Sequence, residues 1–153
     1  MGPEMDWNVQ CDTDAAHVVF ANATDLTIAT VPVTFKAHLR ASHLARLRAA
    51  GAFGALLAHQ AQAHAADNGM AELARAHAAL PDDLLNFQYD PVACAIAAGW
   101  RGATIEDVRL RDVLERGLLR FEPDPRGRNT RVTVDIDAAD FTERWFAAVE
   151  RVS

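Results

Sequence analysis

The chain has 153 residues, of which 50% are hydrophobic and 24% are charged. This composition is typical of one folded domain and excludes a disordered chain, because so much apolar surface would otherwise stay in water. The formal net charge of −6 offers no electrostatic attraction to nucleic acid or to an anionic membrane surface. We therefore predict a single domain over residues 1–153, with no nucleic-acid partner and no membrane partner.

The sequence gives no sign of a membrane span or an export signal. The most apolar stretch near the middle, residues 92–99, is far shorter than the roughly 20 residues that a bilayer requires. Met1 is followed by Gly-Pro-Glu instead of a charged and then hydrophobic leader. The two cysteines, Cys11 and Cys94, are too few for a disulfide framework and lack metal-ligand spacing. These features predict a reduced, cytoplasmic protein.

The first predicted elements are a helix and a buried strand. Asp12 is placed as the N-cap of a helix whose apolar face includes Val18 and Val19. Residues 26–33 follow, apolar on both faces and rich in β-branched side chains, which is typical of a buried parallel strand. The order helix, buried strand, helix favours an α/β fold.

The middle of the chain is predicted to be mainly helical. Over residues 36–80 apolar side chains recur with the 3.6-residue period, with interruptions. After a loop at residues 81–83, Asp90 as N-cap and Pro91 as first helical residue open another helix. Cys94 lies inside this apolar helix, and we expect a buried, unreactive thiol there.

The last third of the chain predicts a hairpin, a strand and a final helix. The hairpin is expected around residues 108–121, and an alternating pattern at residues 132–136 predicts a strand with one wet face. Asp137 would cap the final helix. The buried stripe of that helix is predicted to consist of Phe141, Trp145, Val149 and Val152.

Most candidate metal motifs have a simpler explanation. Asp135 and Asp137 form an Asp-x-Asp pair that could hold a divalent cation through carboxylate oxygens. The spacing of Asp137 and Asp140 is also what a helix start requires, and we favour that capping interpretation. The six histidines lack the spacing of a metal site, and the sequence contains no glycine-rich phosphate loop and no nucleophile elbow.

Two short clusters carry more chemical interest. Asp6-Trp7-Asn8 places a carboxylate and an amide two residues apart, so on an extended segment both would face the same side. Together they could accept hydrogen bonds from, and donate them to, neighbouring sugar hydroxyls. Tyr89 and Asp90 place a phenol and a carboxylate at the opening of a helix, and loop-to-helix junctions are where α/β folds form sites.

Taken in order, these segments resemble the C-terminal half of the inosine–uridine-preferring nucleoside hydrolase family. The family's Glu-Phe-Asn, followed by a short strand and Asp-Pro-Glu-Ala-Ala, corresponds to residues 6–16. Its buried strand ending in Val-Thr corresponds to Val33-Thr34, and its His-Asp-Pro-Leu-Ala-Val-Ala helix start to residues 89–95. A late Arg-Gly, here Arg116-Gly117, precedes the closing strand and terminal helix. The resemblance implies an α/β fold with a partial nucleoside-hydrolase-like mixed sheet flanked by helices, without the family's N-terminal strands.

The resemblance also assigns site residues. Asp90 matches the aspartate that binds both calcium and the ribose hydroxyls, and Asn8 matches an asparagine that contacts the ribose. Asp6 stands where the family has a glutamate toward the 5′ end of the sugar. Tyr89 replaces a histidine that in some members assists departure of the base, so it is the implied catalytic residue, although a phenol is a weaker acid than imidazolium.

The family's hallmark, an Asp-x-Asp-x-x-x-Asp-Asp cluster that holds calcium and supplies the general base, is absent here. After Asp12 and Asp14 the paired positions are Val18 and Val19. Calcium takes six to eight oxygen ligands, and Asp90 supplies at most two. We therefore expect calcium as the family's cofactor, with an incomplete site in this chain.

Two functions follow from the resemblance. The first is a nucleoside hydrolase, which hydrolyses the N-glycosidic bond of ribonucleosides to ribose and free base, with catalysis requiring the missing N-terminal half. The alternative is a non-catalytic truncated remnant that acts as a structural or interaction protein. In both cases exposed sheet edges and apolar faces predict a homo-oligomer or a complement of the missing half.

Overall fold

A computed structural model describes residues 6–152 of the chain. Residues 1–4, from which the sequence predicts that there is no export signal, therefore lie outside the described residues. The helices are α1 Trp7–Cys11, α2 Thr13–Asn22, α3 Val31–Thr34, α4 Leu44–Ala49, α5 Gly51–Asp67, α6 Met70–Ala76, α7 Tyr89–Ala97 and α8 Ala138–Val152. The strands are β1 Thr27–Ala29, β2 His38–Arg40, β3 Leu84–Phe87, β4 Ala103–Glu115, β5 Leu118–Pro123 and β6 Arg128–Ile136.

The chain divides into two compact units. Residues 6–33 and 103–135 form the first, and residues 34–102 and 136–152 form the second. The prediction of one domain over residues 1–153 stays a prediction. Across residues 6–152, none of the helices has the length and apolar character needed to cross a bilayer.

The first unit is built on a four-stranded sheet in the order β1-β6-β4-β5. Strands β1 and β6 are parallel, and β4 and β5 are antiparallel, so the sheet is mixed, as predicted. Arg116 and Gly117 join β4 to β5 with positive φ angles of 52° and 80°. A two-residue hairpin turn requires this left-handed backbone, and the right-handed twist of the strands favours it. The predicted hairpin is thereby confirmed, although both strands are longer than expected.

Polar contacts hold α1 and α2 against this sheet. The Gln10 side chain donates to the Leu119 carbonyl at 2.8 Å and accepts from the Leu119 N–H at 3.1 Å. These bonds occupy backbone groups of β5, which is an edge strand. Arg128 donates to the Phe20 and Ala23 carbonyls at the end of α2, where a cation complements the helix dipole.

The second unit has a two-stranded antiparallel sheet, β2 with β3, surrounded by helices. Its main core cluster lies between β2, β3 and helices α4, α5 and α8. The buried members are Leu39, Leu44, Leu47, Ala58, Ala61, Leu85, Phe146 and Val149. A second cluster joins α6 to β3 through Ala74, Leu80, Leu84 and Phe87, with Tyr89 packed against it. This second cluster therefore positions the start of α7.

Both strands of this small sheet were missed by the sequence analysis. Residues 38–40 were predicted as helix, and residues 84–87 were not assigned to any element. A strand of three or four residues is too short to show a period, so its pairing partner decides its conformation. Here Leu39 is buried opposite Asn86, and His38 lies opposite Phe87.

The predicted buried strand over residues 26–33 is wrong in extent. Only Thr27–Ala29 is strand, its residues are half-buried, and the chain turns into α3 at Val31. Pro32 falls in the first turn of α3, where its missing N–H breaks no helical hydrogen bond. The predicted parallel pairing is confirmed by the register of Ile28 with Val132.

Several predicted buried faces are also wrong. On α2, Val18 and Val19 are exposed, and Phe20 is the buried residue, with its ring 4.6 Å from Phe121. On α7, Cys94 is exposed instead of buried. Along β6, Val134 is exposed, because the strand buries every third residue instead of alternating.

The final helix agrees in part with its prediction. Asp137 accepts from the Asp140 N–H at 2.9 Å, so the capping interpretation of this pair is confirmed. Phe141 and Val149 are buried as predicted. Val152 is 73% exposed and is the last residue of the helix, so its predicted burial is wrong.

Candidate functional site

The start of α7 carries the two site residues predicted in the second unit, Tyr89 and Asp90. Strand β3 leads into this helix, and the Gln88 N–H donates to the Ala37 carbonyl at 2.9 Å, which fixes the junction. Gln88 is the N-cap, so the prediction of Asp90 as N-cap is wrong. Asp90 is the second helical residue instead, because the backbone turns helical at Tyr89, two residues before Pro91.

The Asp90 carboxylate is available for a ligand. Its side chain is exposed and lies in the first turn, where the helix dipole favours negative charge. Within residues 6–152 it has no hydrogen bond and no ion pair. A carboxylate in this position can accept two hydrogen bonds from adjacent hydroxyl groups.

Tyr89 is half-buried in an aromatic cluster. Its ring centroid lies 5.5 Å from that of Phe87 and 6.5 Å from that of Phe35, and the Phe35 and Phe87 rings stack at 4.2 Å. Burial raises the pKa of the Tyr89 phenol above its usual value of 10. The phenol is therefore protonated at neutral pH and can act as a hydrogen-bond donor, whereas its readiness to give up the proton is reduced.

His38 belongs to the same cluster and was missed by the sequence analysis. Its ring contacts Phe35 and Phe87 edge-on, at centroid distances of 6.1 Å and 5.6 Å. Burial, reinforced by the charge of Arg40, lowers the pKa of His38, against the opposing effect of a hydrogen bond to the Phe35 backbone. Among the described residues, none pairs with its buried Nε2 atom. No local sequence signal could reveal this cluster, because its members come from two segments that lie far apart in the sequence, residues 35–38 and 87–89.

Asp6 and Asn8 lie in the first unit, on a helix and not on an extended segment. Asp6 is the N-cap of α1, and its carboxylate accepts from the Val9 N–H at 3.2 Å. Asn8 is exposed on the first turn of that helix. The expectation that both side chains face one side of an extended strand is wrong, because residues two apart in a helix point in nearly opposite directions.

The described residues do not assemble a calcium site. Among residues 6–152 there is no group of three or more His, Cys, Asp or Glu side chains able to hold a metal ion. Asp12 and Asp137 both use carboxylate oxygens to cap helices. Asp90 alone falls far short of the six to eight oxygens that calcium takes. The donor set of this part of the chain therefore does not fit the ion.

Comparison with known proteins identifies the family. The family model for inosine-uridine preferring nucleoside hydrolase matches residues 1–143. No curated protein matches the chain.

Three solved structures share the fold. A purine-preferring ribonucleoside hydrolase from Gardnerella vaginalis is 19% identical with a TM-score of 0.76, over 97% of this chain and 46% of that one. A plant nucleoside hydrolase is 18% identical with a TM-score of 0.73, over 97% and 48%. An inosine-uridine preferring nucleoside hydrolase from Bacillus anthracis is 15% identical with a TM-score of 0.61, over 100% and 47%. The chain thus spans about half the length of the structures it resembles.

Proposed function

Because the chain belongs to the inosine-uridine preferring nucleoside hydrolase family, we propose that the start of α7 binds the ribose of a ribonucleoside during hydrolysis of its N-glycosidic bond. The observation that carries this proposal is the exposed Asp90 carboxylate, which has no partner among residues 6–152. The carboxylate of a helix cap accepts hydrogen bonds from backbone N–H groups, as those of Asp12 and Asp137 do. Asp90 does not.

The chemistry expected of this region is binding and orientation. Two adjacent ribose hydroxyls would donate to the Asp90 oxygens, which fixes the sugar and thereby the direction of the scissile bond. Tyr89, the neighbouring residue, would donate a hydrogen bond from its phenol to the departing base. Its raised pKa suits a donor that polarises the base, and it makes full proton transfer at neutral pH less favourable.

Water activation has to come from groups outside the described residues. Residues 6–152 contain no group of three or more His, Cys, Asp or Glu side chains that could hold a metal ion. We therefore expect the isolated chain to bind the sugar without turning over the nucleoside, and catalysis to require a segment with the Asp-x-Asp-x-x-x-Asp-Asp pattern. Asp6 and Asn8 remain predicted sugar contacts on the strength of the family resemblance.

A non-catalytic interaction protein is the second candidate. On α1 and α2, Trp7 is 63% exposed, Val18 is 56% exposed and Val19 is 54% exposed. Large apolar side chains that are left exposed mark an interface with another protein where they form one patch. This observation supports a homo-oligomer or a complement of the missing half, whether or not the chain takes part in catalysis.

The decisive experiment measures release of base from inosine and from uridine in calcium-containing buffer. It compares the chain alone, the chain with a co-expressed Asp-rich N-terminal half, and the latter with Asp90→Asn. Asn keeps the size of the side chain and removes its charge, and we expect about a hundredfold lower kcat/KM, the usual cost of losing one positioned polar group.

The matched control is Asp67→Asn, an exposed aspartate at the end of α5. It should leave activity unchanged. If the complemented chain releases no base, the hydrolase proposal is wrong and the interaction protein stands. If Asp90→Asn and Asp67→Asn are equally active, Asp90 does not bind the substrate.

A further inference from the structure

The second unit contains a hollow that the proposed nucleosidase chemistry does not use. It has a volume of about 340 Å³ and is lined by Lys36, His38, Arg40, His43, Ala138, Ala139, Thr142 and Glu143. Half of these are basic residue types, and all four come from residues 36–43, around β2. The first turns of α8 form the opposite wall.

The ionised groups of the lining favour an anion. Lys36 and Arg40 are cations, and Glu143 is the one acidic side chain of the lining. The Glu143 carboxylate lies 2.8 Å from Arg46, which also binds Glu150 at 2.7 Å, so Arg46 offsets part of the Glu143 charge. Arg40 binds Asp83 through its Nε at 2.6 Å, and the planar guanidinium carries further N–H groups on its other nitrogens.

The lining also contains His38 and His43, whose imidazole rings bind a proton more readily when an anion is near. The Nδ1 atom of His43 accepts from the Arg40 backbone N–H at 3.3 Å, so its proton sits on Nε2 as a donor. The bare Nε2 of His38 is buried without a partner among the described residues. Protonation would turn it into a donor too.

Burial lowers the pKa of both rings, so they are largely neutral at pH 7. The charges that act on His43 are those of Arg40, Asp83, Glu143 and Arg46, and Arg40 acts on His38. A bound anion would raise both pKa values, and its binding would take up protons.

We propose that this hollow is a binding site for a small phosphate monoester, with the phosphate held by Lys36, Arg40 and His43. Phosphate offers only acceptor oxygens, which match these donors, and charge-assisted bonds of this kind are the strong ones. A phosphate group fills only part of the hollow, so a small attached group has room. The N-terminal N–H groups of Asp140 and Phe141 are already bonded to Asp137, so the cationic side chains carry the recognition.

Calorimetric titration of the full chain in an oxyanion-free buffer tests the proposal. The probes are inorganic phosphate, ribose 5-phosphate and ribose. We expect the Kd for phosphate to rise about tenfold in Lys36→Gln and in His43→Phe, which is the effect of losing one charge-assisted bond. This result would support the site. His43→Phe preserves the edge-on packing against Phe146, where the ring centroids lie 5.2 Å apart. The control is Arg48→Gln, an exposed cation on α4 that binds Gln62.

Each result decides the question. If Arg48→Gln weakens phosphate binding as much as Lys36→Gln and His43→Phe do, the attraction is a general effect of positive charge and the site is overturned. The site is also overturned if ribose binds as tightly as ribose 5-phosphate. Absence of phosphate binding at concentrations up to roughly 10 mM, about ten times a millimolar Kd, overturns it as well. If His43→Phe loses its folded circular dichroism signal, Lys36→Gln decides alone.

Sulfate supplies the pH arm, because its charge is constant between pH 6 and pH 8. We expect sulfate to bind more tightly at pH 6 than at pH 8, because the histidines can be protonated at pH 6. Binding that does not depend on pH would overturn the assignment of the histidines to the site. These readouts are binding constants, so they stand or fall independently of base release by the start of α7.

Discussion

Replacement of Gly54 by alanine should destabilise the second unit, although alanine is the better helix former. Gly54 is buried on α5 and lies against the end of α4. A Cβ atom added there would lie 2.9 Å from the Ala50 Cβ and 3.1 Å from the Leu47 carbonyl carbon, and closer still to the Leu47 carbonyl oxygen. Because the Leu47 obstacle is backbone, relief requires α4 and α5 to move apart.

The magnitude follows from two opposing terms. Overpacking against a rigid neighbour costs about 3 kcal/mol, and the helix propensity of alanine over glycine returns about 1 kcal/mol. We therefore expect a loss of about 2 kcal/mol in the free energy of unfolding, or roughly 4–8 °C in Tm for a chain of this size.

Urea and thermal unfolding followed by circular dichroism at 222 nm measure this loss. The control is Ala55→Gly, at an exposed position of the same helix, which reports the propensity term alone and should cost about 1 kcal/mol. If Gly54→Ala is as stable as the parent chain, or more stable, α4 and α5 do not approach as closely as the structure shows.

Two further predictions concern acid stability and assembly. Burial would raise the pKa of Asp83, but hydrogen bonds from Ser42 and Arg40 outweigh it and lower the pKa to about 2. Because the folded-state pKa is lowered, the ionised Asp83 contributes stability above the unfolded value near 4, and this contribution is lost as the pH falls toward 2. Asp83→Asn should therefore lower the free energy of unfolding at pH 7 and make that free energy fall less steeply between pH 4 and pH 2 in urea titrations. A parallel fall in both proteins would contradict the assignment. The exposed Trp7 and Val18 predict that the chain associates at micromolar concentration, which light scattering should show. Val18→Glu should weaken this association. If both proteins are monomers, the exposed apolar side chains are no evidence for a partner.

Parts of the fold could be predicted from short stretches of the sequence. Asp12 and Asp137 were predicted as helix caps, and both accept the backbone N–H three residues on. A cap needs only a short-range geometry, so residue type and spacing suffice. The hairpin between β4 and β5 was likewise predictable, because its turn and its strands are adjacent in sequence.

The candidate site was predictable only where a motif carried it. Tyr89 and Asp90 could be singled out because the order of the motifs matched a family, and the structure places them at the start of a helix after a strand. The aromatic ring of His38 against Phe87 could not be found this way, because nothing in either local sequence encodes a contact across β2 and β3.

The sequence by itself determined the α/β class, the helix caps, the hairpin and the family, since each depends on residue type, on spacing along a few turns, or on the order of short motifs. Only the tertiary structure decided which apolar residues are buried and which short segments are strands. Phe20 is buried while its neighbours Val18 and Val19 are exposed, and residues 38–40 are a strand because β3 lies beside them. Burial and pairing are properties of two surfaces in contact, so the composition of one segment cannot fix them without the other.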